Sequence, residues 1–178
     1  VFDDVSISLD GNGIQKAIHA SYSNLDFNGD VKVVLSKYAP EVGSAAARVL
    51  YTDNGSKINI NQSKNNIVQL KGYIVAASGS KVNVALTNKD SFWEGDAQID
   101  GSNPDTEINV EVSGKAVWNP GADRGSFYYN DRLKLNLHDG GIVDMTKTAD
   151  KYATLNIGSV NGTGGLFRLE TDVVNMQS

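Results

Sequence analysis

The 178-residue sequence predicts an all-β fold, a right-handed parallel β-helix (β-solenoid) of about seven coils with a partial C-terminal cap. Two repeating patterns and the composition carry this prediction. The chain holds 18 Gly but only 3 Pro and 2 Met, which favours stacked strands and turns over helix bundles. The right-handed sense follows from the crossover preference of parallel strands.

The first pattern is a three-residue step in which a polar residue stands between two apolar residues. The step occurs seven times, and five copies share a central Asn. The copies begin at positions 7, 31, 58, 82, 108, 135 and 155, so the spacings are 24, 27, 24, 26, 27 and 20 residues. Units of this length are too short to bury a core alone, and we expect them to stack on their neighbours.

Strand alternation decides which side chains of the step face the interior. The two apolar residues of each copy point one way and the central Asn points the other way. We therefore expect the Asn side chains on the outer surface and a dry aliphatic interior. The expected inward residues are Ile58, Ile60, Val82, Val84, Ile108, Val110, Leu135 and Leu137.

The second pattern is a matching register of turns and strands. The segment Gly55–Ile60 matches Gly79–Val84 at an offset of 24 residues, and the strands at 49–52 and 73–76 share that offset. Each unit then reads as strand, tight turn, strand and loop. Insertions at 36–50 and 114–131 lengthen two of the units.

The chain is expected to form one continuous domain. Residues 1–150 are assigned to the coils, and residues 151–178 to the last coil and the start of an autochaperone-like cap. Within 152–173, Leu155 and Ile157 should finish the interior before the chain turns at Asn161–Gly165. We expect this stretch to leave the regular coil and the strand after it to be an exposed edge.

The composition excludes several classes of function. The net charge is −5 and the sequence has no Lys/Arg cluster, which argues against binding a nucleic-acid backbone. The absence of cysteine excludes disulfides, thiolate metal sites and cysteine nucleophiles. No apolar run approaches the roughly 18 residues of a membrane helix.

No catalytic, cofactor or metal site is predicted. His138 beside Asp139 has the residue types of a base and its orienting acid, but a surface pair at a strand end is the plainer interpretation. Asp26-x-Asn28-x-Asp30 resembles the start of a calcium loop, but Val31 stands where that loop needs Gly and Lys37 where it needs Glu.

Two groups of acidic residues have the side chains that cleavage of a polysaccharide would need. Asp100, Asp105 and Glu107 are close in sequence, as are Asp123 and Asp131. Glycoside hydrolysis needs paired carboxylates on one face. We interpret these residues as solvated turn acids.

Aromatic residues give the one candidate binding feature. Trp93 and Trp118 are 25 residues apart, about one coil, and Tyr128 and Tyr129 follow. Facing solvent, these four residues would form a patch that stacks on sugars or docks a protein. Facing inward, they would fill the last coils, which is the interpretation we favour.

Three segments resemble the pertactin-like passenger regions of Gram-negative autotransporters, including the AIDA-type adhesins. "DSFWEGDAQIDG" (90–101) is similar to their last regular coils, and the segment at 114–145 to a Trp-containing coil followed by an L-x-L-x-GG coil. "YATLNIGSVNGTGGLFRLETDV" (152–173) resembles the start of their autochaperone cap. In that family more cap strands and an outer-membrane barrel follow, so the resemblance implies a passenger fragment with a truncated cap.

The resemblance implies a non-enzymatic cell-surface adhesin passenger, a rigid scaffold or stalk for adhesion or self-association. The expected location is the surface of a Gram-negative bacterium, anchored through a barrel outside this chain, or the secreted fraction. The expected partner is a host or bacterial surface receptor, protein or glycan, or a second copy, without a cofactor. The alternative is a polysaccharide-binding or polysaccharide-degrading β-helix, of the lyase, hydrolase or tailspike type.

Overall fold

The computed structural model describes residues 1–10, 15–35, 47–120, 130–146 and 155–169. These residues form an all-β solenoid of about five turns. The strands are β1 (Val5–Leu9), β2 (Gln15–Ser21), β3 (Asn24–Phe27), β4 (Val31–Leu35), β5 (Ala47–Asp53), β6 (Lys57–Ile60), β7 (Val68–Lys71), β8 (Tyr73–Ala77), β9 (Lys81–Leu86), β10 (Phe92–Glu94), β11 (Ala97–Asp100), β12 (Glu107–Val112), β13 (Val117–Asn119), β14 (Leu133–Leu137), β15 (Ile142–Asp144), β16 (Ser159–Asn161) and β17 (Leu166–Arg168). A 3₁₀ turn spans Asn130–Arg132. Across the described ranges, no helix is long and apolar enough to cross a membrane.

The strands form three sheets, and all their pairings are parallel. The seven-stranded sheet has the order β1-β4-β7-β10-β13-β15-β17, and the four-stranded sheet the order β11-β8-β5-β2. The six-stranded sheet has the order β16-β14-β12-β9-β6-β3. Strands of one sheet therefore come from successive turns of the chain, as the repeat predicts, but a turn can hold three strands instead of the predicted two.

The interior is aliphatic, as the alternation predicts. The eight residues expected to point inward are all buried, with exposed fractions of 0 to 5%. In the six-stranded sheet Ile58 lies in register with Val82, and Val82 with Ile108. Burial of each such side chain contributes roughly 1.5–3 kcal/mol to folding.

The seven copies of the three-residue step do not form one ladder. The copies at 7 and 31 lie in β1 and β4 of the seven-stranded sheet, whereas those at 58, 82, 108 and 135 lie in the six-stranded sheet. In addition, Ile108 pairs with Leu133, two residues before the predicted partner Leu135. The step occurs in strands of different sheets, so its spacing alone does not determine which strands are neighbours.

Buried hydroxyl groups connect the turns that enter the six-stranded sheet. The Ser80 hydroxyl accepts a hydrogen bond from the Ser56 amide at 3.1 Å, and the Thr106 hydroxyl accepts one from the Gly79 amide at 2.9 Å. Ser56, Ser80 and Thr106 are almost fully buried. The matching Gly-Ser turns in the sequence therefore stack on each other, as predicted.

The last described coil differs from the prediction. Leu155 and Ile157 pack against the core but belong to no strand, and Leu135 pairs instead with Val160 of β16. The chain does not leave the coil here, because β16 and β17 extend the six- and seven-stranded sheets in parallel register. β17 is the last described strand of the seven-stranded sheet, and its Leu166 and Phe167 are 48% and 41% exposed, whereas most of the predicted edge strand, up to residue 173, lies outside the described residues.

Candidate functional site

The two tryptophans belong to the core. Trp93 and Trp118 are fully buried, with their ring centroids 4.7 Å apart and their planes 3° apart. Each indole Nε1 donates a hydrogen bond of 2.9 Å to a backbone carbonyl oxygen, of Gly72 for Trp93 and of Gly95 for Trp118. The core interpretation is confirmed for this pair.

The surface-patch alternative for Trp93 and Trp118 is therefore wrong. Their position in the strands directs the rings inward, and carbonyl groups of the coil satisfy the polar end of each indole. The other two members of that patch, Tyr128 and Tyr129, lie outside the described residues.

The outer face of the six-stranded sheet carries a row of hydrogen-bonded side chains, which we call the amide row: Asp26, Asn59, Asn83 and Asn109. The Nδ2 group of Asn59 donates to Asp26 at 2.5 Å, that of Asn83 to Asn59 at 2.7 Å, and that of Asn109 to Asn83 at 2.8 Å. In-register parallel strands lie about 4.8 Å apart, which lets neighbouring amides bond in this way. The sequence predicted the outward direction of the three Asn side chains but not these bonds.

A second outward row lies beside the amide row. Ala85 is in register with Glu111, Glu111 with Asn136, and Asn136 with Asn161. Asn136 and Asn161 are both exposed, and among the described residues neither side chain has a hydrogen-bond partner. We call Asn136 and Asn161 the free-amide pair.

A loop after β6 forms a wall above these rows. Its first residue, Asn61, is fully buried and donates from Nδ2 to the Ala85 carbonyl at 2.9 Å, while its Oδ1 accepts from the Asn66 amide at 3.1 Å. The Thr87 hydroxyl donates to the Lys64 carbonyl at 2.9 Å. These bonds fix the loop over β9 and β12, so that Gln62 and Lys64 face the two rows.

The loop and the two rows border an open cleft of about 200 Å³. Its lining residues are Gln62, Lys64, Asn83, Val84, Ala85, Asn109, Val110, Glu111, Lys134, Leu135, Asn136 and Asn161. Five of these residues carry a side-chain amide. Three of them, Asn83, Asn109 and Asn136, are the central Asn of a repeat copy and were expected on the outer surface. Nothing local in the sequence marked Gln62, Lys64 or Glu111.

The carboxylate of Glu111 is shared between two basic groups. Its Oε2 lies 2.7 Å from Nζ of Lys64, and its Oε1 lies 3.2 Å from Nε2 of His138. The other ring nitrogen of His138, Nδ1, lies 2.8 Å from Oδ2 of Asp139. The hydrogen bond to Asp139 raises the pKa of His138 above its ordinary value of 6.5, burial opposes this, and Glu111 adds to the increase.

Glu107 forms the second charged group near the cleft. Its Oε1 accepts a hydrogen bond from Nζ of Lys134 at 2.8 Å, and its Oε2 lies 3.5 Å from Nζ of Lys81. The hydrogen bond from Lys134 lowers the pKa of Glu107 despite partial burial, and the two lysine charges add to this effect. The two lysines among the described residues that line the cleft, Lys64 and Lys134, are therefore each paired with a carboxylate.

The described residues do not assemble a catalytic group in the cleft. Of the described residues that line it, only Glu111 carries a carboxylate, whereas the usual glycosidase mechanism needs two. Both ring nitrogens of His138 contact carboxylates, so neither is positioned to take a proton from a nucleophile. In the described ranges, no group of three or more His, Asp or Glu residues could hold a metal ion.

Comparisons of the chain with family models, with curated proteins and with solved structures found no match. The fold and the cleft geometry are therefore the basis for assigning a function.

Proposed function

We propose that this chain is a non-enzymatic adhesin passenger fragment, a rigid scaffold that serves adhesion or self-association at the surface of a Gram-negative bacterium. In this proposal the solenoid winds in the right-handed sense and comprises seven coils. A β-barrel outside this chain holds it in the outer membrane. The partner is a surface receptor or a second copy of the chain, and no cofactor takes part.

One observation carries the proposal: the outward side chains of the six-stranded sheet form continuous rows across successive coils. Hydrogen bonds link the amide row from Asp26 to Asn109, and the second row runs from Ala85 to Asn161. Such rows on a rigid support present repeated polar contacts in fixed positions, which a surface that binds through many weak contacts needs. The sequence resemblance to pertactin-like passengers supplies the cellular setting.

Surface display tests this function. The chain is fused to an outer-membrane barrel and displayed on Gram-negative cells, and settling and attachment to epithelial cells are measured. We expect displaying cells to settle or attach more than cells that display the barrel alone. An unrelated β-solenoid of similar length is the matched control for added bulk, and equal behaviour of the two displayed solenoids contradicts the proposal.

The second candidate function is a polysaccharide-binding β-helix, and the amide-lined cleft favours it. The degrading form is less well supported, because Glu111 is the one carboxylate among the described residues that line the cleft, and it is paired with Lys64. Release of new reducing ends from a polysaccharide by the purified chain, lost in Glu111→Gln, would support a degrading enzyme over an adhesin.

A further inference from the structure

The free-amide pair differs from the other asparagines of the same face. Asn59, Asn83 and Asn109 use their amides on each other, and each of their bonds joins two coils. Asn136 and Asn161 stand side by side in register, are exposed, and make no side-chain hydrogen bond to another described residue. Their donors and acceptors are therefore available to a ligand in the cleft.

The charges around the cleft are already neutralised within the protein. Lys64 is 2.7 Å from Glu111, and Lys134 is 2.8 Å from Glu107. An anionic ligand would have to separate one of these pairs, and a cationic ligand would have to compete with a lysine for its carboxylate. A neutral ligand requires neither change.

The remaining chemistry of the cleft suits hydroxyl groups. An amide side chain offers donors on nitrogen and an acceptor on oxygen, and a sugar hydroxyl both donates and accepts. The floor of the cleft is the outer surface of the strands, where Ala85 carries a small methyl group in register with Glu111, whereas the side chains of Val84, Val110 and Leu135 point into the core. The cleft is open to solvent and its lining residues outside the loop come from β9, β12, β14 and β16, so a chain of sugars can lie across these strands.

We propose that this cleft is a binding site for a neutral glycan chain, with Asn136 and Asn161 as its principal hydrogen-bonding residues. The loop residue Gln62, whose Nε2 donates one hydrogen bond to the Ile60 carbonyl at 3.1 Å, also lines the cleft and contributes a third amide. The proposal deepens the adhesive function and rests on it for its biological role. The binding itself is measured on the purified chain and does not depend on that role.

Affinity electrophoresis of the purified chain tests the site. Native gels contain dextran, galactomannan or mixed-linkage β-glucan as neutral polysaccharides, or polygalacturonate as an anionic one. We expect at least one neutral polysaccharide to retard the chain and polygalacturonate not to do so. Retardation by none of the neutral polymers, or by polygalacturonate alone, overturns the proposal.

Variants connect the binding to the free-amide pair. Asn136→Ala combined with Asn161→Ala should weaken retardation about tenfold, because two hydrogen bonds of modest strength are lost. Asn24→Ala is the control, since Asn24 is an exposed residue at the far end of the same sheet and does not line the cleft. Asn136→Leu with Asn161→Leu keeps the approximate side-chain shape, removes the donors and acceptors without adding charge, and gives a second measurement if the alanine variant folds poorly. Unchanged retardation of the folded double variants, or an equal loss in Asn24→Ala, overturns the proposal.

Surface display separates this inference from the proposed function. If displaying cells attach but the purified chain is not retarded by neutral polysaccharides, the glycan site is wrong and the adhesive function stands. If the purified chain is retarded through Asn136 and Asn161 but displaying cells neither attach nor settle, the site stands and the adhesive function is wrong.

Discussion

The side-chain amide of Asn83 donates a hydrogen bond to Oδ1 of Asn59 at a distance of 2.7 Å, joining two successive strands on the outside of the solenoid. Backbone hydrogen bonds join the same strands, β6 and β9, and Ile58 and Val82 are in register on the inner side. The contact between neighbouring coils therefore has three parts: side-chain amides outside, backbone in the middle and aliphatic packing inside. Each part can be altered separately.

Replacement of Asn83 by Ala should destabilise the protein by about 1–2 kcal/mol. Asn83 takes part in two side-chain hydrogen bonds, to Asn59 and from Asn109, and each contributes roughly 0.5–1.5 kcal/mol. Urea unfolding followed by circular dichroism measures the difference. Asn24→Ala should change the stability by less than about 0.5 kcal/mol, because Asn24 is exposed at the end of the sheet. Equal effects of the two substitutions would show that the amide row does not stabilise the fold.

Replacement of Gly95 by Ala should destabilise the protein by more than about 3 kcal/mol. An added Cβ would lie 2.0 Å from the Gly72 carbonyl oxygen and 2.9 Å from Nε1 of Trp93. Gly55→Ala is the matched control, because Gly55 also has a positive φ, +71°, but no atom lies within 4 Å of its added Cβ. That control should cost about 1–2 kcal/mol from backbone strain alone.

Tryptophan fluorescence gives the second readout of the Gly95 variant. The added methyl group would break the hydrogen bond from Trp93 to Gly72 and displace the stacked indoles, so the emission maximum should shift. Gly55→Ala should leave the emission unchanged. A Gly95→Ala protein with the stability and emission of the parent would mean that the two backbones do not approach as closely as described.

The sequence predicted which side chains face the interior better than it predicted the register in which the strands pair. Alternation around the repeated Asn correctly placed Ile58, Val82 and Ile108 inside and in register, because an apolar interior leaves each strand one acceptable orientation. The pairing of Ile108 with Leu133 instead of Leu135 was not predictable, since Leu133, Leu135 and Leu137 all satisfy the same pattern. A two-residue shift keeps every side chain on its correct face.

Less of the candidate site than of the core could be predicted from the sequence. The Asn of the repeat indicated a polar outer row, but the cleft also needs Gln62 and Lys64 from a loop without regular spacing. The ion pair between Lys64 and Glu111 joins residues far apart in sequence that are adjacent only after the coils stack. For the tryptophans, the spacing of about one coil agrees with the register of Trp93 with Trp118, and their burial shows that the core interpretation is correct.

The protonation of His138 should make a small pH-dependent contribution to stability. Because Asp139 and Glu111 raise the pKa of His138 in the folded state, protonated His138 stabilises the fold at pH values below its ordinary pKa of 6.5. This contribution is lost as the pH rises through the elevated pKa. His138→Gln should therefore lower the free energy of unfolding at about pH 5, by no more than about 1 kcal/mol, and have a smaller effect at about pH 9.

NMR titration of the His138 ring measures the cause directly. Asp139→Asn should move the pKa of His138 down toward its ordinary value, because the hydrogen bond to Asp139 is the largest contribution to the shift. Glu111→Gln should move it in the same direction and also release Lys64. A His138 pKa at or below its ordinary value in the parent protein would contradict both ion pairs.

Replacement of Val84 by Asp should destabilise the protein by about 3–5 kcal/mol or prevent folding, because a charge without a partner would enter the aliphatic interior. Val84 is 2% exposed and lies in register between Ile60 and Val110, so neither neighbouring coil offers a polar group at that position. Ser8→Asp is the control, since it adds the same charge on the exposed side of β1. Thermal unfolding should show a large fall in Tm for Val84→Asp and a small change for Ser8→Asp. A Tm for Val84→Asp within about two degrees of the parent would place Val84 in contact with solvent and contradict the inward ladder on which the solenoid assignment rests.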